Sequence, residues 1–261
     1  MNGYIGIDIG SQNSKGVVIA DHSIIAHYTC ASGVNHRQTA EKIRAKLLDK
    51  TPHIRHIRTA ATGCGAKRVA WADDQCSDIQ SLARGICFFD NTIRTVVEVG
   101  DRFSRVVRLG QGGMVIDFSM NHRCATGAGV FLQVIAKILQ LDIGDIGPLS
   151  LKSTAAVRFD TGCAVFGETE VITRICEGHR IEDILAGAHH SLAEKIAAMA
   201  KGIGLEKKCA LAGGGGLNTG LAAAIRKALG IELVIPPRPD IIGALGAAVI
   251  AGQKSGHQAK R

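Results

Sequence analysis

The feature that most constrains this chain is a pattern that occurs twice. Tyr4-Ile5-Gly6-Ile7-Asp8-Ile9-Gly10 is an apolar run that closes on an acidic residue and a glycine. Val96-Val97-Glu98-Val99-Gly100 closes in the same way, roughly ninety residues later. A short polar stretch and further apolar runs follow each, over 16–20 in the first case and over 106–109 and 114–118 in the second. Runs of this length, bounded by Gly and polar residues, read as strand, tight turn, strand. Repetition of the unit predicts two lobes of one architecture.

The remaining pattern fills in an α/β chain. Further strands are expected over 23–29, 56–61, 209–212 and 232–235, the last stopped by Pro236, Pro237 and Pro239. Helical periodicity covers 36–48, 78–89, 128–141, 163–177, 191–203, 221–229 and 241–251. The tail after Gly252 is expected to fray. These elements divide into a first lobe over 1–94 and a second over 95–240. A C-terminal helix over 241–253 packs back on the first lobe.

Composition limits the function classes. With 261 residues and 46% hydrophobic content, the chain can form one large domain or two lobes around a cleft. The net charge of +8 is scattered, and aromatic residues at 4% do not interleave with it, so no nucleic-acid partner is expected. The longest apolar stretches fall short of the ~20 residues a membrane helix needs. The N-terminal run has no basic leader, which argues against a signal peptide and for a cytoplasmic protein. Eight cysteines in that compartment do not read as disulfides, and no CxxC pair is present.

Three motifs carry chemistry. In Asp8-Ile9-Gly10-Ser11-Gln12-Asn13-Ser14-Lys15, backbone N–H groups and an ammonium can surround phosphate oxygens, and the Asp can hold a hydrated Mg²⁺. An ordinary polar hairpin has the same pattern. In Ala212-Gly213-Gly214-Gly215-Gly216-Leu217-Asn218, glycines let the backbone pass close to a flat ligand such as adenine or ribose. A flexible loop is the alternative. Gly243-Ala244-Leu245-Gly246-Ala247-Ala248 reads as close helix packing. His189-His190 reads as surface or packing, not as a metal site.

Taken in order, these motifs resemble the actin, sugar-kinase and heat-shock ATPase superfamily. That implies two lobes of ribonuclease H-like topology, with a nucleotide cleft between them and one phosphate hairpin in each. The segments Asn121-His122-Arg123-Cys124-Ala125-Thr126-Gly127-Ala128-Gly129 and Asp160-Thr161-Gly162-Cys163-Ala164-Val165-Phe166-Gly167-Glu168 each set a Cys at the start of a helix, where the dipole favours a thiolate. They resemble the cluster-binding motifs of the 2-hydroxyacyl-CoA dehydratase activators, the family that includes the ATPase subunits of benzoyl-CoA reductases. The resemblance implies ATP-dependent one-electron transfer to a cluster-bearing acyl-CoA dehydratase or reductase, with ferredoxin or flavodoxin as donor. It implies ATP/ADP, Mg²⁺ and one [4Fe–4S] cluster bridging a homodimer. A cubane needs four thiolates, and Cys124 and Cys163 supply two per chain. The other six cysteines read as small buried hydrophobes.

The site residues follow from the matching motifs. Asp8, Glu98 and Asp101 take catalytic roles. Gly10, Ser11, Gln12, Ser14, Lys15, Gly100, Arg102, Ser104, Gly213, Gly214, Gly215 and Asn218 hold the nucleotide. The second hairpin departs from the family pattern Glu-x-Gly-Gly-Gln-Asp-Ser-Lys, reading Glu98-Val99-Gly100-Asp101-Arg102-Phe103-Ser104-Arg105. Either Asp101 and Arg102 substitute from neighbouring positions, or hydrolysis is slow or absent. The segment Arg158-Phe159-Asp160-Thr161-Gly162 is also less typical. Rival readings are a permanent subunit of a benzoyl-CoA reductase-type complex, a small-molecule kinase, and a non-hydrolysing nucleotide-binding module.

Overall fold

The computed structural model describes residues 1–121, 129–159 and 164–258. The chain divides into two compact units: Met1–Ile93 with Gly110–Val115 and Ile241–Arg261, and Arg94–Leu109 with Ile116–Asp240.

The first unit is built on β1 (Asn2–Ile9), β2 (Asn13–Ala20), β3 (Ser23–Ala31), β4 (Arg55–Thr62) and the two-residue β5 (Asp74–Gln75), in the order β3-β2-β1-β4-β5. β1 pairs antiparallel with β2 and parallel with β4. The second sheet uses β6 (Thr95–Val99), β7 (Ser104–Leu109), β8 (Val115–Met120), β9 (Cys209–Ala212) and β10 (Leu233–Val234), in the order β10-β9-β6-β7-β8. β6 pairs antiparallel with β7 and parallel with β9. Substituting β6 to β10 for β1 to β5 therefore reproduces the first sheet, so the repeat seen in two hairpins extends to whole sheets.

Helices bury both faces of the first sheet. α1 (His36–Lys50) starts at an Asn35 cap, where Oδ1 accepts from Gln38 N–H at 3.1 Å. Its buried Ala40, Ile43 and Leu47 pack with Ile5, Ile7 and Ile9 of β1. α2 (Asp78–Phe89) and α8 (Ile242–Gln258) take the opposite side, with Ala247 and Ala251 of α8 on Ala60 of β4. A β-carbon at Gly6 of β1 would stand 1.9 Å from the Ala244 carbonyl, and one at Gly246 would stand 1.6 Å from the Ser81 carbonyl. The small-residue stripe of α8 is thus a packing device, as its sequence suggests.

In the second unit α3 (Gly129–Ile138), α4 (Ile146–Ser150), α5 (Ala164–Cys176), α6 (Ile181–Ile203) and α7 (Thr219–Leu229) surround one core. α6 runs through its centre with Ile184, Leu185, Leu192 and Ile196 buried. Burial of this apolar face, at about 25 cal/mol per Å², is what holds the helix in place.

Three expectations need correction. α6 begins ten residues before the expected 191, because Gly187 and the His189-His190 pair look like a break. Gly187 sits there because the helix crosses Val157, whose carbonyl would lie 1.9 Å from a β-carbon. The tail after Gly252 stays helical to Gln258, held by the Tyr4 ring against Gly252 and by Lys254 on Asp74 at 2.9 Å. Residues Gly110–Val115, assigned above to the second lobe, group with the first unit. Arg84 donates to the Gly112 carbonyl at 2.5 Å, and Gly113 lies against Cys87 and Ala83 of α2.

Candidate functional site

The first hairpin places Asp8 opposite Lys15 and Ile9 opposite Ser14. Lys15 Nζ lies 3.4 Å from Asp8 Oδ2, and both side chains are about four-fifths buried at 18% exposure. The turn is braced from β3. Ser32 Oγ donates to the Gly10 carbonyl at 2.7 Å and also lies 2.7 Å from Ser14 Oγ, while Ser32 N–H donates to the Gln12 carbonyl. Gly10 has no room for a side chain, since a β-carbon would stand 2.4 Å from the Asn13 carbonyl. The turn is therefore rigid, with an ammonium and a carboxylate at its base.

The second hairpin keeps the same register, Glu98 opposite Arg105 and Val99 opposite Ser104. Its side chains are arranged differently. Arg105 is almost fully buried and donates through Nε to Glu98 Oε2. The Phe103 ring lies 5.0 Å from the Arg105 guanidinium, a cation–π contact. Gly129 N–H and Val130 N–H, from the first turn of α3, donate to the Gly100 and Asp101 carbonyls at 2.8 and 2.9 Å. Gln133 of α3 donates to Asp101 Oδ1 at 3.0 Å. Arg102 is exposed at the tip. Ser104 Oγ is buried with no hydrogen-bond partner among the described residues.

Each hairpin has a glycine loop beside it, on the strand parallel to its first strand. Asp8 is in register with Thr62 of β4, and Glu98 with Ala212 of β9. The next residues, Gly63 and Gly213, have φ of +86° and +81°. A β-carbon at Gly63 would stand 2.4 Å from Asp8 Oδ1 and 2.5 Å from the Ile9 carbonyl; one at Gly213 would stand 2.4 Å from the Val99 carbonyl. Only glycine combines that backbone with that proximity. Two residues on, Gly65 packs on Ile9 and Gly215 on Val99.

Sequence reasoning found the Gly213 loop and missed its counterpart, Gly63-Cys64-Gly65. Its spacing from the end of a strand was the available signal. Gly243 is the other missed neighbour: it borders Asp8, whose Oδ2 would lie 3.1 Å from a β-carbon there.

Asn218 ends the Gly213 loop and caps α7. Its Oδ1 accepts from Leu221 N–H at 2.9 Å, and its Nδ2 lies 3.0 Å from His189 Nε2. His189 is inside α6 and buried, whereas His190 is exposed and pairs with Glu194 at 3.2 Å. Among the other cysteines Cys209 is buried, and burial pushes its thiol up to about 12. Cys64 and Cys176 are exposed, contrary to the expectation of burial. A groove of about 590 Å³ between α2, α8 and Gly113–Val115 contains none of the predicted site residues.

The BadF/BadG/BcrA/BcrD ATPase family matches residues 5–251. This chain belongs to that family. It is 36% identical over 250 residues to the 2-hydroxyisocaproyl-CoA dehydratase activator of Clostridioides difficile, covering 95% of this chain and 94% of the relative. It is 34% identical over 256 residues to the (R)-2-hydroxyglutaryl-CoA dehydratase activating ATPase of Acidaminococcus fermentans, covering 96% and 97%. The solved structure of the Clostridium difficile activator with bound ADPNP superposes with a TM-score of 0.92 at 33% identity, covering 99% of this chain and 97% of that one.

Within the family's fold, the two halves of this chain carry the same hairpin and glycine-loop arrangement. Cys124 and Cys163 lie outside the described residues. The helices that follow them in sequence, α3 and α5, pack on each other: Gly167 lies against the Phe131 ring, 2.7 Å from a β-carbon position. Phe131 in turn meets Phe159 edge-on at 6.3 Å. Among the described residues no helix is long and apolar enough to cross a membrane.

Proposed function

We propose that this chain is an ATP-driven activator, passing single low-potential electrons to a cluster-bearing acyl-CoA dehydratase or reductase. The observation that carries this reading is the Asp8–Lys15 pair at the base of a braced glycine turn, in a chain one-third identical over its length to an ADPNP-bound dehydratase activator.

In this reading Lys15 and the Gly10-Ser11-Gln12 backbone hold phosphate oxygens, and Asp8 orients the water shell of Mg²⁺. The Gly213-Gly214-Gly215 backbone passes the adenosine, with Asn218 anchoring that loop at α7. Ser14 and Ser104 seat their hairpins, and Gly100 lets the second turn close. Glu98 is held by Arg105, and the Asp101 carboxylate, steadied by Gln133, is the group that orients attacking water, with Arg102 at the rim. Hydrolysis supplies the free energy, and the first hairpin senses it because its phosphate contacts change when inorganic phosphate leaves.

Cys124 and Cys163 of two copies would hold one [4Fe–4S] cluster, which supplies a one-electron couple when bound. α3 connects that ligand set to the second hairpin, because its first turn donates to the Gly100 and Asp101 carbonyls. A change at the hairpin therefore pulls directly on the helix that follows Cys124. The electron enters from reduced ferredoxin or flavodoxin and leaves to the dehydratase partner.

The test couples two readouts on the anaerobic protein: phosphate release from ATP, and reduction of an acyl-CoA dehydratase component. Both are expected together, and Lys15→Ala should abolish both. Electron delivery that proceeds equally without nucleotide would overturn the coupling. Phosphate release with no electron delivery to any such component would favour a plain nucleotide hydrolase.

A further inference from the structure

Among the described residues of the second unit, His189 is the most deeply buried imidazole, and nothing in the mechanism above uses it. It is 1% exposed, in the middle of α6. Its Nε2 lies 3.0 Å from Asn218 Nδ2. The direction of that hydrogen bond is fixed by a third group. Leu221 N–H can only donate, and it points at Asn218 Oδ1 from 2.9 Å. The carboxamide nitrogen therefore faces the imidazole and donates, so Nε2 accepts and the ring proton sits on Nδ1. That Nδ1 has no partner among the described residues. It faces Gly220, where a β-carbon would stand 3.0 Å from Nδ1 and 2.0 Å from Ser150 Oγ. The glycine leaves the ring its seat.

Asn218 is tied in turn to the glycine turn. Its backbone N–H donates to the Gly215 carbonyl at 3.1 Å, and Gly216 N–H donates to the Gly213 carbonyl at 3.0 Å. A line of contacts thus runs from α6 through the imidazole and the carboxamide to the loop that borders Glu98.

We propose that His189 is a positioning residue for the nucleotide: its Nε2 fixes the Asn218 carboxamide and so sets the Gly213–Leu217 turn against the adenosine. This role rests on the reading that the Gly213 loop contacts nucleotide. Burial supports it, since desolvation lowers the His189 pKa to about 4 and keeps Nε2 an acceptor throughout the neutral range. The buried face of α6, packed in the unit's core, gives the imidazole a rigid base that a loop residue would lack.

The experiment is titration calorimetry with ADPNP on the full chain and four variants. His189→Phe keeps an apolar ring but removes the acceptor, and should weaken binding about 5- to 10-fold, the equivalent of one neutral hydrogen bond. His189→Gln restores an acceptor and should bind within about twofold of the unmutated protein. Asn218→Ala should weaken binding, and adding His189→Phe to it should cause no further loss, because the histidine acts through the asparagine. A folded His189→Phe protein that binds normally, or losses that add, would overturn the proposal. Failure of the unmutated protein to bind ADPNP would overturn the nucleotide reading and this role with it. Should the Phe variant not fold, the ring ¹⁵N signals of His189 decide. They are expected to show the proton on Nδ1 and to move when ADPNP is added. A proton on Nε2, or signals indifferent to the nucleotide, would contradict the role.

Discussion

The two hairpins share a register and differ in what their charges face. At the first, Lys15 and Asp8 stand 3.4 Å apart, partly accessible, over a turn whose hydroxyl chain is complete. At the second, Arg105 is locked on Glu98, roofed by Phe103 and nearly out of solvent. An ammonium on a long stem that keeps 18% exposure can exchange a carboxylate partner for a phosphate. A buried guanidinium held on a carboxylate cannot do so without exposing an unpaired charge. The lesson is a division of labour: the first hairpin supplies a mobile cation, and the second a fixed frame whose adjustable groups are Asp101 and the backbone. Phe103 stands where the family pattern has Asp, and its contact with Arg105 gives it a structural reason to be there.

The largest expected effect breaks this comparison if it is wrong. Arg105→Ala leaves Glu98 buried without its partner and should lower unfolding free energy by about 3–5 kcal/mol. Lys15→Ala should cost under about 1 kcal/mol of stability, yet weaken ADPNP binding at least about tenfold. Urea unfolding and calorimetry on the pair check both. Equal destabilisation would mean that the hairpins do not differ in kind.

Next in size is a pH effect confined to the second unit. The folded protein keeps the His189 ring neutral down to about 4, while the unfolded chain takes up the proton near 6.5. Stability from this group is therefore full above 6.5, falls as pH drops, and levels off below about 4. The total is about 3 kcal/mol. Denaturation midpoints of the unmutated protein and His189→Gln, compared between pH 7 and pH 4, should diverge as pH falls through that window. Parallel curves would show that the imidazole titrates normally.

The glycine loops give a sharper contrast. Gly213→Ala places a β-carbon on the Val99 carbonyl at positive φ and should destabilise by about 2 kcal/mol or more. Gly214→Ala meets nothing within 4 Å and should stay within about 0.5 kcal/mol. Thermal unfolding distinguishes them. The smallest effect belongs to Phe103→Leu, which removes the cation–π contact and should cost about 0.5–1 kcal/mol. A gain in stability would show that Phe103 is instead a strained substitution.

Much of this was legible in the residues. Strand periodicity and the Asp8/Glu98 spacing revealed the two halves, because a hairpin's register is set locally by its alternation and its turn. The Gly213 loop stood out because four glycines follow a strand. Gly63-Cys64-Gly65 did not stand out, because only the parallel pairing of β4 with β1 brings it to Asp8, and that pairing joins residues over fifty positions apart. His189 was read correctly as packing or surface, but its bond to Asn218 depends on how α6 and α7 cross, which no local pattern encodes. The start of α6 was hidden because Gly187 answers a tertiary contact, not a helix end. The departures around Phe103 were visible as letters, while their compensation by Arg105 needed three dimensions.

The central claim is that two copies of this chain hold one cluster through Cys124 and Cys163 and use ATP to drive electrons from it. The most direct measurement is anaerobic: iron, inorganic sulfide and native mass determined on the same preparation. The account predicts a dimer with about four irons and four sulfides, lost in air and absent from Cys124→Ala and Cys163→Ala. An iron-free monomer after strictly anaerobic purification would contradict it.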